Sequence, residues 1–205
     1  MSEATHSSTP LTPKFGALIL AAGSSSRLGQ PKQLLVFKGQ PLIVRTAEAT
    51  LAAGASPVIV VLGANAEKIR AVLVQLPVVI VENATWSEGM GSSIRTGLLA
   101  LESAAPTLDA ALIAVCDQPH FSATATGKLC AALSGDVTIS ATRHAAGAGV
   151  PALFTRAHFP ALRALRGHEG ARQIIAAHAA TTAIVELPEL ALDIDTPEDR
   201  VRLQG

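Results

Sequence analysis

At 205 residues, almost half of them apolar, the chain is long enough to bury a substantial core, and a disordered protein is excluded. Its 16 basic and 16 acidic residues cancel, and no basic run of five or more occurs. Neither a nucleic-acid surface nor an anionic-membrane surface is therefore indicated, and no apolar stretch reaches the roughly 20 residues that span a bilayer. Residues 1–14 are polar and rich in Pro, Thr and Ser, without an apolar signal-peptide core. They read as a disordered tail on a single domain covering 15–205, in a cytoplasmic protein. A first apolar strand, Phe15 to Leu20, leads into a Gly/Ser loop that reaches about Gln33. Pro41 opens a helix that Gly54 ends. Pro57 to Leu62 is a second strand, and Asn65 caps a helix that runs to Leu73. Val78 to Val81 is a third strand, Gly91 to Ser103 a helix, and Ala110 to Val115 a fourth strand. Ser122 to Leu133 is helical, Val137 to Ala141 a strand, and Val150 to Phe154 a short strand after a Gly-rich turn. Two helices follow, Arg156 to Ala164 and Glu169 to Ala179, then a strand from Thr182 to Leu187 and a terminal helix from Pro197.

Repeated strand–helix alternation with near-continuous apolar strands defines an α/β fold with a mainly parallel sheet flanked by helices. Aromatics are scarce and Tyr is absent, so Ala, Val, Leu and Ile must fill the core. Cys116 and Cys130 form no C-x-x-C pair; they read as buried small residues in a reducing compartment. In open α/β sheets, ligands bind outside the carboxyl ends of the strands, so chemistry belongs in the loops that follow them.

Three such loops stand out. The first, LAAGSSSRLGQPK from Leu20 to Lys32, follows the first strand. Small residues let backbone N–H groups approach an anion, and Arg27 and Lys32 add charge for phosphate oxygens. Its spacing is neither Walker A nor G-x-G-x-x-G. A flexible Ser/Gly turn with two solvated cations is the plainer alternative. The second, from Asn83 to Ile94, brings Ser92 and Ser93 to a helix start, where they serve either a nucleotide or ordinary capping. Trp86, the only Trp, reads as a packing residue. The third is Cys116-Asp117-Gln118-Pro119. A carboxylate at the end of a buried strand suits Mg²⁺, or caps the next turn. Asp195 or Asp193, in the run DIDTPED, supplies a second carboxylate, while Asp195 or Thr196 also suits a helix cap.

LAAGSSSRLGQPK, NATWSEGMGSSIRTGL, CDQP, GVPALF and DIDTPED stand in the order found in the molybdenum cofactor nucleotidyltransferases, and the chain resembles that family from about Phe15 onward. LAAG, where guanylyl relatives carry LAGG, and the DIDTPED ending resemble its cytidylyl branch. The resemblance implies a Rossmann-like mixed sheet of the nucleotide-diphospho-sugar transferase type. It implies attack by the terminal phosphate of molybdopterin on CTP, release of pyrophosphate, and Mg²⁺ as cofactor, with Mn²⁺ an alternative. The catalytic set it implies is Arg27, Lys32 and Asp117. The nucleotide-binding set is Leu20, Ala21, Ala22, Gly23, Arg27, Lys32, Asn83, Ser92 and Ser93. Asp117 is the main metal ligand and Asp195 the second. Arg172 is a candidate for an anionic acceptor, and a surface Arg otherwise. His168 stands where the family's G-D-x-G-A-R carries Asp, with Glu169 beside it as a possible substitute. Implied partners are CTP, molybdopterin and the apo-molybdoenzyme that receives the product. The expected state is a monomer, since no coiled-coil heptad occurs.

A phosphate nucleophile is anionic at neutral pH, so such a reaction needs positioning and charge neutralisation rather than a strong base. The rival readings are a cytidylyl- or uridylyltransferase for a sugar or polyol phosphate, a guanylyltransferase, and a non-catalytic cofactor chaperone.

Overall fold

The structure, a computed structural model, describes residues 13–196 together with 198 and 199. The elements in chain order are β1 (Phe15–Ala21), β2 (Val36–Phe37), β3 (Gln40–Pro41), α1 (Leu42–Ala52), β4 (Val58–Leu62), α2 (Ala66–Leu73) and β5 (Val79–Glu82). They continue with α3 (Met90–Ala104), β6 (Ala110–Val115), α4 (Ala123–Ala132), β7 (Ile139–His144), β8 (Gly147–Thr155), α5 (Phe159–Ala164), α6 (Ala171–Ala177) and β9 (Thr182–Val185). Seven strands form one sheet in the order β5-β4-β1-β6-β8-β7-β9. The pairs β5–β4, β4–β1, β1–β6 and β7–β9 are parallel; β8 runs against both of its neighbours. The expected mainly parallel, mixed sheet is thus present. Its antiparallel member is the second arm of a β7–β8 hairpin closed at His144↔Gly147.

The strands alternate faces at period two, which splits the apolar interior into two layers. Ala17, Ile19 and Ala21 pack with Ile43 of α1, Ile69 of α2 and Leu129 of α4. Leu18 and Leu20 face the other way, onto Ile94 and Leu98 of α3, Phe159 of α5 and Ile174 of α6. Helices therefore cover both faces, and β1, β4 and β6 are buried along nearly their whole length. That burial is why those strands read as unbroken apolar runs.

Several boundaries differ from the sequence reading for local reasons. Val36–Phe37 and Gln40–Pro41 form a small hairpin with Lys38 and Gly39 both at positive φ, so Pro41 precedes the helix instead of opening it. Asn65 precedes α2 in the left-handed region, and its side chain makes no cap bond; Asn tolerates that φ better than most residues. Ser122 does cap α4, accepting from the Ala125 N–H at 3.2 Å. The helix expected from Arg156 begins as a 3₁₀ turn, Arg156–His158. Of the expected tail, residues 1–12 lie outside the described residues, as does most of the helix expected from Pro197. Among the described residues, no helix is long and apolar enough to cross a membrane. Cys116 and Cys130 are free and buried.

Candidate functional site

The chain leaves β1 for β4 and β5 on one side, then returns across to β6 on the other. A crevice opens at such a reversal, at the carboxyl ends of β1 and β6. The first loop leaves one lip and Asp117 the other. Lys32, on a 3₁₀ turn (Lys32–Leu34), reaches across. Its Nζ donates to Asp117 Oδ2 at 2.5 Å and to Asp195 Oδ1 at 2.9 Å. Burial works against the Lys32 charge, but the two carboxylates outweigh it and hold the pKa well above the usual lysine range.

Asp195 reaches this cluster because the Ile194 N–H donates to the Asp117 carbonyl at 2.9 Å, stitching the C-terminal run to the end of β6. Thr196 takes the capping work: it donates to Asp199 Oδ2 and accepts from the Asp199 N–H. The Asp195 carboxylate is thereby left for Lys32. Asp193 points elsewhere, accepting from Gln118 Nε2 at 3.1 Å. Partial burial and the Asp117 charge push its pKa up, with the Gln118 bond opposing.

Asp117 stands between two cavities. One, about 340 Å³, is lined by Leu20, Ala21, Ala22, Gly23, Lys32, Trp86 and Ser93, among others. The other, about 700 Å³, is lined by Gln118, His144, Arg172 and Asp193. Met90, Val115, Asp117 and His168 border both. Both volumes suit small-molecule ligands. The expected site residues thus converge on one crevice, with exceptions. Arg27 is exposed on a 3₁₀ turn and borders neither cavity. Asn83 and Ser92 lie behind the cavity wall, at 2% and 1% exposure. The Asn83 amide donates to Ser92 Oγ at 2.8 Å and Ser93 Oγ at 3.0 Å, and Ser92 Oγ donates to the Thr85 and Gly89 carbonyls. Their polar groups are spent on holding the second loop, because a buried amide and hydroxyl must find partners. Glu169 accepts from the Arg166 N–H at 2.6 Å and borders neither cavity, whereas His168 borders both.

Two residues to which the sequence reading gave no role shape the crevice. Gln33, 1% exposed, donates to the Ala21 and Gly23 carbonyls at 3.0 and 2.9 Å and so fixes the first loop. Gln118 ties the end of β6 to Asp193 and, at 3.4 Å, to the Val150 carbonyl. Each directly follows a candidate charged residue, which was the available signal. Cys116 also borders the smaller cavity, but burial and then the Asp117 charge push its thiol up to about 12. It stays protonated and is no nucleophile.

The donor set fits a hard divalent cation. Among the described residues, Asp117 Oδ1 is buried without a hydrogen-bond partner, and Asp195, on the same Lys32 ammonium, supplies a second carboxylate. Among the described residues, no three His, Cys, Asp or Glu side chains form a complete metal cage. An ion held by one or two carboxylates plus substrate phosphates and water needs no such cage.

Sheet order, switch-point crevice and lysine–carboxylate cluster together define an open α/β protein with a ligand crevice at the carboxyl ends of its strands. The chain belongs to the family of MobA-like NTP transferase domains, whose sequence profile matches residues 17–182. It is 42% identical over 118 residues to nicotine blue oxidoreductase of Paenarthrobacter nicotinovorans, covering 57% of this chain and 56% of that protein. It is 36% identical over 109 residues to a probable molybdenum cofactor guanylyltransferase of Synechococcus elongatus, covering 52% of each. The matched stretch therefore spans about half the length of these curated relatives. Among solved structures, Rv0371c of Mycobacterium tuberculosis superposes with a TM-score of 0.77 at 28% identity, covering 95% of this chain and 100% of that one. Another structure of that protein is a complex with manganese, with a TM-score of 0.72 at 26% identity.

Proposed function

We propose that this chain is a divalent-metal-dependent cytidylyltransferase that joins CMP from CTP to the terminal phosphate of molybdopterin. The observation that carries the reading is Asp117, paired with Lys32 and bordering two separate cavities. One cavity would take the triphosphate and the other the acceptor, so the α-phosphorus and the attacking oxygen meet beside Asp117. An acceptor phosphate oxygen forms a new bond to the α-phosphorus. The bond from the α-phosphorus to the oxygen bridging to the β-phosphate breaks, and pyrophosphate leaves with that electron pair. The acceptor oxygen is already anionic at neutral pH, so no side chain has to remove a proton. Lys32 would neutralise and orient the phosphates, and the backbone of Ala21 to Gly23 would contact the base. Asp117 and Asp195 would hold the cation, which supplies charge neutralisation on the phosphates. The cation is Mg²⁺ in this reading, and the manganese complex of a structural relative supports a divalent ion. Arg172 and His168 border the acceptor side and would meet its anionic groups.

CTP is chosen on the LAAG form of the first loop. A relative named as a guanylyltransferase makes GTP the second reading. The oxidoreductase name of another relative gives a third. The loop after β1 lacks the G-x-G-x-x-G spacing of dinucleotide sites, which favours transfer. The test is pyrophosphate release with Mg²⁺ and molybdenum-loaded molybdopterin, comparing CTP, GTP, ATP and UTP. Release with CTP is expected. Release with GTP alone would replace the base, and release with none would remove the acceptor. Asp117→Ala is expected to abolish turnover while keeping the circular dichroism spectrum; near-normal activity would remove the assignment of this crevice.

A further inference from the structure

Trp86 is the chain's only tryptophan, and it lines the smaller cavity beside the first loop. The largest fully buried side chains, such as Phe154 and Phe159, are apolar anchors under 2% or so exposed, whereas Trp86 is only partly buried and forms wall of the smaller cavity with Ala21, Ala22 and Gly23. Its backbone is also held in place. It lies on a 3₁₀ turn (Trp86–Glu88), its backbone N–H donates to the Asn83 carbonyl at 3.2 Å, and the Gly89 N–H donates back to the Trp86 carbonyl at 3.2 Å. The buried Asn83–Ser92–Thr85 network braces the residue before it.

Gly63, just beyond β4, carries the second observation. A Cβ there would stand 2.6 Å from Trp86 Cβ, 2.7 Å from Trp86 Cγ and 2.8 Å from the Ala22 carbonyl. Its φ lies outside the left-handed region, so the turn itself does not demand glycine. What demands it is the close approach of Trp86 and the first loop. The chain therefore gives up a side chain at Gly63 so that Trp86 and the first loop both close on it, and Trp86 still borders the cavity.

We propose that Trp86 is the stacking platform for the nucleobase. The proposal rests on the reading that the smaller cavity holds the triphosphate. A fixed aromatic face gains stacking energy from any base, since every base has a π-face. Trp86 thus supplies affinity common to all four nucleotides, and base choice falls to the polar groups of the first loop.

A single tryptophan makes the test direct. Wild-type protein is titrated with CTP, GTP, ATP and UTP, each with Mg²⁺ and without acceptor, following Trp fluorescence and calorimetry in parallel. Quenching that saturates with calorimetric binding is expected. Trp86→Ala is expected to weaken every nucleotide it binds by about ten-fold and to raise KM by a similar factor with kcat little changed. Trp86→Phe, which keeps a π-face, retains most of the affinity. Trp86→Leu, which keeps apolar bulk without one, falls near the Ala variant. If Leu binds as well as Phe, the ring is a space-filler and the proposal falls. It falls equally if the Ala variant binds as wild type does. Wild-type protein that binds none of the four nucleotides overturns the nucleotide reading itself, and this proposal with it.

Discussion

Lys32 is the residue on which two assigned roles collide. Its ammonium sits between Asp117 and Asp195, the carboxylates that would hold the cation, and it is also the charge that would meet the triphosphate. One ammonium and one divalent ion compete for the same oxygens. Removing Lys32 leaves two neighbouring carboxylates without their shared partner, which favours a metal ion in its place. Lys32→Ala is therefore expected to bind Mn²⁺ alone more tightly than wild type while losing turnover with the nucleotide. Calorimetric titration of Mn²⁺ into both proteins checks this, and weaker binding in the variant would show that Lys32 supports the ion instead of excluding it. Gln33 belongs to the same scale. Its two bonds to loop carbonyls hold Ala21 and Gly23 in place, and its position next to Lys32 was the one sign of that role in the sequence.

Helix α3 shows how tightly the elements meet. A Cβ at Gly97 would lie 2.7 Å from Val61 Cγ2 and 3.2 Å from Leu18 Cδ2, so the helix rests almost directly on β1 and β4. Gly97→Val is expected to lower stability by about 1–3 kcal/mol, the usual cost of overpacking, and urea unfolding reads it. A second element contact is polar. His158, 6% exposed just before α5, meets Thr138 Oγ1 at 2.9 Å, and its ring lies 4.6 Å from that of His178 after α6. Phe154 of β8 faces the same ring at 6.3 Å. Burial, and then the nearby His178, lower the His158 pKa below its ordinary 6.5. The unfolded chain therefore takes up this proton first as pH falls. Stability from this contact is complete above about 6.5 and is lost as pH drops from there toward the folded-state value. Wild type is expected to show a lower urea midpoint at about pH 5.5 than at pH 7.5, and His158→Gln a smaller difference.

On the scale of the molecule, the crevice joins segments that the sheet keeps apart in sequence: the loop after β1, the turn before α3, the end of β6 and the run after β9. A ligand bound across them ties these segments to the folded state alone. CTP with Mg²⁺ is expected to raise the melting temperature, with about 2.7 kcal/mol of added stability at a hundred-fold excess over Kd. Asp117→Ala is expected to lose most of that shift in a thermal melt. An equal shift in the variant would mean that nucleotide binds elsewhere.

The sequence by itself determined the alternation of strands and helices, because β1, β4 and β6 are buried on both faces and must be written as unbroken apolar runs. It also determined which loops could carry chemistry, since Asp117 stands at the end of one such run and the loop that carries Lys32 follows another. It did not determine that β8 runs against its neighbours, because an antiparallel central strand covered on both faces reads like a parallel one. Nor could it choose between Asp193 and Asp195 as the partner of Lys32, or see that Asn83 and Ser92 turn inward. Those outcomes depend on contacts across 85 and 163 positions of chain, such as Lys32 with Asp117 and Asp195. Local pattern is set by neighbours a few residues apart, whereas such meetings exist only once the sheet order has brought the strand ends together.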